Sequence, residues 1–220
     1  MNLQANFKNT WFYALLTTFG LIVYQLFVYS AIYSISENEP ISYFITYSIV
    51  LISLIIWKRN SLKEDLKSLK GDLNGKTKHI ILMYILFYSL MLITNYIIYK
   101  YVGNIAENES VLRASLLKSP ILMSISLALL GPIMEELIFR YPYQNIKTNK
   151  NLKFVIYTLV FALFHIFSAT SIQGLLFLIP YTFLSLSITY SYYKTDNIYT
   201  SMFFHIINNT ISVFAIIIGG

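Results

Sequence analysis

Long, nearly unbroken apolar runs separated by short polar segments set the pattern along this chain. Runs at residues 11–35, 41–57, 79–99, 121–142, 154–169, 172–193 and 198–218 read as membrane spans. They lack the period-two alternation a barrel strand needs, so the spans are expected to be helices, whose backbone groups are satisfied within the segment. The predicted architecture is all-α: a polytopic membrane bundle of about seven transmembrane helices. Residues 1–114 supply the first three helices and a basic loop at 58–78. Residues 115–220 supply the remaining four.

Composition agrees with this pattern. Of 220 residues, 56% are hydrophobic and 12% are charged, against about 25% charged in soluble domains, which excludes a water-soluble globule. The formal charge of +6 would suggest nucleic acid in a soluble protein; here the positions of the basic residues matter instead, and no nucleic-acid partner is expected. With the N-terminus cytoplasmic, Lys8, the seven basic residues of 58–78, Lys147, Lys150, Lys153 and Lys194 face the cytoplasm. Only Lys100, Arg113 and Lys118 face the other side, which selects an N-in, C-out orientation for seven spans. The expected location is the cell membrane, as a multi-pass protein. The first span is too long for a signal-peptide core and is expected to be retained. Abundant Ile, Lys, Asn and Tyr fit an AT-rich bacterial genome.

Within 58–78, Leu62, Leu66, Leu69 and Leu73 follow one another at intervals of four, three and four, with Lys63, Lys67 and Lys70 between them. This predicts a short helix on the inner membrane surface, with a solvated charged linker as the alternative because Gly71 and Gly75 interrupt the pattern.

Ionisable side chains inside a span cost at least about 2.5 kcal/mol each, so they mark a protein interior and a function. The spans starting at 121, 154 and 198 carry Glu135, Glu136, Arg140, His165 and His205. Counted from the span ends, Glu135 and His205 lie roughly 10 Å and His165 roughly 16 Å from the cytoplasmic face, one layer reachable by water. Glu136 and Arg140 are four residues apart and are expected to form a buried ion pair. Glu135 points about 100° away from Glu136 and is the expected reactive carboxylate. His205 and Asn209 share a helix face, and Phe161, one turn before His165, is placed to wall its ring.

A carboxylate and an imidazole around one water can remove its proton, directly or with a metal lowering the water's pKa. A second imidazole with an amide can donate hydrogen bonds to a tetrahedral oxyanion. The chain has no cysteine, which removes thiolate chemistry and makes water the simplest nucleophile; Ser168, Ser201 and Thr210 leave a serine mechanism as a weaker alternative. Glu135, His165 and His205 could equally form a three-ligand zinc site with an open position, so one zinc ion and no metal both stay open.

The ordered set Glu135-Glu136-x-x-x-Arg140, Phe161-x-x-x-His165 and His205-x-x-x-Asn209, on separate predicted spans, resembles the CPBP or Abi family of intramembrane proteases, related to type II CAAX prenyl endopeptidases. The resemblance implies an endopeptidase whose cavity opens to the cytoplasm. Glu135 and His165 would activate water, His205 and Asn209 would stabilise the oxyanion, and Glu136 with Arg140 would hold the geometry. Its partners would be the bilayer and a membrane peptide or lipid-anchored protein as substrate. Two further readings accompany it: a non-cleaving scaffold or bacteriocin-immunity protein on the same fold, and a small proton- or ion-coupled transporter.

Overall fold

The computed structural model describes residues 11–103, 106–144, 146–167, 169 and 171–219; Lys8 and Ser168 lie outside them, and the side chains of residues 107 and 108 are left aside. Among the described residues every regular element is helical. The helices are α1 (Trp11–Ser36), α2 (Glu39–Leu73), α3 (Thr77–Val102), α4 (Glu107–Lys118), α5 (Pro120–Ile125), α6 (Gly131–Arg140), α7 (Lys150–His165), α8 (Ile172–Leu175), α9 (Leu178–Thr195) and α10 (Ile198–Gly219). A π-helical turn, Ser126–Leu130, joins α5 to α6, and a 3-10 turn, Tyr141–Tyr143, follows α6.

Among the described residues, six stretches are long and apolar enough to cross a membrane: Trp11–Ser36, Glu39–Leu73, Thr77–Val102, Pro120–Tyr143, Ile172–Thr195 and Ile198–Gly219. They make the chain a multi-pass membrane protein. The span expected at 154–169 is the 16-residue α7, about 24 Å long at 1.5 Å per residue and therefore shorter than the roughly 30 Å hydrocarbon layer. The helix expected within 58–78 exists through Leu73, but as the continuation of α2 and not as a separate element. Nothing between Trp57 and Lys70 breaks it: no proline or glycine intervenes. At 35 residues, α2 reaches about 52 Å, so roughly 20 Å of it must project beyond the lipid.

The turns follow from local chemistry. Between α1 and α2 the side chain of Asn38 accepts the backbone N–H of Ile41 (3.2 Å), capping α2. Gly75 and Gly103 take φ of +69° and +76°, the left-handed conformation that lets α2 turn into α3 and ends α3.

The chain forms two compact units. One takes Met1–Glu64, Ser115–Asn149 and His205–Gly220; the other takes Asp65–Ala114 and Lys150–Phe204. In the second, α9 lies along both α3 and α7. Ser185, Ser187, Thr189 and Ser191 on α9 are all buried, and Ser187 and Ser191 return their hydroxyls to the carbonyls of Leu184 (2.6 Å) and Ile188 (2.8 Å). Small side chains that satisfy their own polar atoms let backbones approach closely. Ser185→Leu is accordingly expected to overpack this contact and cost about 1–3 kcal/mol, read as a lowered melting temperature in detergent. In the same unit the buried Asn197, after α9, gives its amide to Asp72 (2.9 Å) and Ser68 (3.2 Å), tying that turn to the projecting end of α2.

Candidate active site

The π turn prepares the first unit for chemistry. Its closing bond runs from Gly131 N–H to the Ser126 carbonyl, five residues back. In that register the Leu127 carbonyl would next receive the N–H of residue 132, but residue 132 is proline and has none. The orphaned carbonyl accepts Asn209 Nδ2 from α10 at 2.9 Å. The pair Gly131-Pro132 thus sets where α10 docks on α6, within reach of the two glutamates one turn later. Asn209 spends one amide N–H on this bond and accepts Asn208 Nδ2 at 3.0 Å, leaving a second N–H for other work.

Glu136 and Arg140 form the expected ion pair. Both side chains are fully buried; Nε of Arg140 donates to Oε2 of Glu136, and Nη2 donates to Oε1 at 3.1 Å. This fork holds the carboxylate in a fixed plane. The sequence pattern does not disclose its further partner: His205 Nδ1 lies 3.1 Å from the same Oε1. Because a carboxylate oxygen accepts, Nδ1 carries the proton and donates it to Glu136. His205 is thereby oriented with Nε2 turned toward Glu135, whose Oε2 lies 3.7 Å away. One imidazole bridges two adjacent carboxylates, the first dry and the second with a side chain 20% exposed. The roughly 100° between consecutive helix positions makes this division possible.

His165 belongs to the second unit. Its Nδ1 meets the Phe161 carbonyl at 2.9 Å; the carbonyl can only accept, so Nδ1 donates and Nε2 carries the lone pair of the neutral ring. The imidazole is stacked on Phe161 (ring centroids 4.3 Å apart) and flanked by Tyr181 (5.0 Å). The expected role of Phe161 as a wall is visible in this geometry, while Tyr181 carries no signal in the sequence that would have chosen it among nineteen tyrosines.

Among the described residues no three His, Cys, Asp or Glu side chains gather as a metal-ligand set. Glu135 and His205 stand together as two of the three expected zinc donors. Ser201 is fully buried and gives its hydroxyl to the Ile198 carbonyl at 3.0 Å, near the start of α10.

Asn209→Ala is expected to remove the α6–α10 bond and cost about 1 kcal/mol, measurable as a reduced melting temperature; Asn209→Gln should recover less than half of it, because the longer amide overshoots the carbonyl.

The family described as type II CAAX prenyl endopeptidase Rce1-like matches residues 117–211. That segment contains Glu135, Glu136, Arg140, Phe161, His165, His205 and Asn209. UPF0177 protein YxdF of Lactococcus lactis subsp. lactis (strain IL1403) is 33% identical over 166 residues, covering 73% of this chain and 86% of the relative. No solved structure matches the chain.

Proposed function

Because the chain belongs to the type II CAAX prenyl endopeptidase Rce1-like family, we propose that it is an intramembrane endopeptidase that hydrolyses a peptide bond of a small membrane-embedded or lipid-anchored peptide near the cytoplasmic face. The observation that carries this reading is the imidazole of His205 held between a fully buried carboxylate and a partly exposed one.

In this mechanism Glu135 takes a proton from a water molecule as the water oxygen bonds to the scissile carbonyl carbon. The carbonyl's π electrons move to its oxygen. Protonated His205 donates from both nitrogens, Nδ1–H to Glu136 and Nε2–H to the new oxyanion, with the second N–H of Asn209 as a further donor. Glu136, its geometry fixed by Arg140, compensates the imidazolium charge. Collapse breaks the C–N bond, and the amine leaves with the proton that Glu135 had taken.

Zinc would supply a more acidic bound water; adding a chelator to the assay reports whether it takes part. The test is purified protein in liposomes, incubated with labelled membrane peptides, the products identified by mass. The expected result is a single internal cut. Intact peptides together with a proton current through the empty liposomes would replace this reading with transport.

A further inference from the structure

The first helices lie outside the matched segment, yet one of their side chains reaches the catalytic turn. Tyr47, on α2, is buried at 8% exposure. Its ring lies against Gly131: a Cβ built there would stand 3.2 Å from Tyr47 Cε2 and 3.7 Å from Cδ2. Gly131 and Glu135 are one helical turn apart on α6, so the bare face of the glycine and the carboxylate are stacked on one side of the helix. The ring is thereby seated on α6 one turn from the carboxylate. Tyr43, one turn earlier on α2, meets the Tyr47 ring edge-on at 5.9 Å and holds its plane. A phenylalanine would fill the same space without bringing a hydroxyl into the membrane, where each polar group needs a partner.

We propose that Tyr47 is a positioning residue for the catalytic base: seated in the notch that Gly131 leaves open, it turns its hydroxyl toward the Glu135 carboxylate and holds that group aimed at the water. The inference rests on Glu135 being the base. It makes the N-terminal helices part of the catalytic apparatus and not only its anchor.

The test uses the full-length protein in liposomes with the same labelled peptides. Tyr47→Phe keeps the ring and its packing, and its melting temperature serves as the folding control. Losing the hydroxyl that aims the base should lower kcat by about 10- to 100-fold, with KM within about twofold of wild type and the melting temperature unchanged. A merely structural tyrosine would lower the melting temperature and leave the kcat of the folded protein in place. Glu135→Gln separates the two levels of the argument. If Glu135→Gln is inactive while Tyr47→Phe keeps wild-type kcat, the role of Tyr47 is overturned alone. If Glu135→Gln still cleaves, the base assignment falls and takes this inference with it.

Discussion

Replacing Glu135 with Gln is expected to lower peptide cleavage at least about 100-fold while membrane insertion and melting temperature stay close to wild type. Glutamine keeps the size and both hydrogen-bonding ends of the side chain but cannot accept the water's proton. The side chain is partly exposed, and the neutral amide leaves no charge stranded. The comparison requires initial rates of cleavage and a thermal melt on the same preparation. A rate within threefold of wild type would remove the mechanism, since no other partly exposed carboxylate lies beside His205 among the described residues.

The second large effect concerns stability. Arg140→Ala leaves Glu136 as a buried carboxylate stripped of its fork, and breaking a fully buried pair on one side costs about 3–5 kcal/mol. Glu136→Ala should cost a similar amount through the stranded guanidinium. Together, Glu136→Leu with Arg140→Met removes both charges at nearly constant volume and should recover most of the melting temperature. It should not recover cleavage, because His205 loses the acceptor that holds Nδ1 and presents Nε2. Stability and activity therefore separate in the double variant. Their joint return would mean that the ion pair serves the fold alone.

Much of this was legible in the letters. The apolar runs disclose the membrane helices because a span must bury about twenty consecutive residues, which leaves no room for ambiguity of period. The ion pair of Glu136 and Arg140, and the placement of Phe161 beside His165, follow from four-residue spacing on one helix. Contacts that cross helices are less accessible. That His205 bonds Glu136 while facing Glu135 depends on rotation of α10 about its own axis, which no local pattern encodes. Asn209 shows the same limit: spacing places it on the face of His205, but its bond to the Leu127 carbonyl depends on the π turn. The signal for that turn is present as Gly131-Pro132 inside an apolar run, yet a proline in a helix announces a lost bond without naming the group that replaces it. The continuation of α2 through Leu73 could have been read from the absence of any breaker before Gly71.

The π turn also has a bearing on angular phase. One residue more than an α-helix requires has been accommodated between Pro120 and Arg140, and each residue advances a helix by about 100°. Rewinding Ser126–Leu130 as regular α-helix with no residue removed would swing Glu135 and Glu136 together around the axis by about that angle, carrying both away from a histidine fixed on another helix. The spacing between the glutamates would be unchanged and every side chain still present. The loss would be one of timing along the helix, so this surplus residue acts as the setting that brings an otherwise ordinary membrane segment into register with its reactive partner.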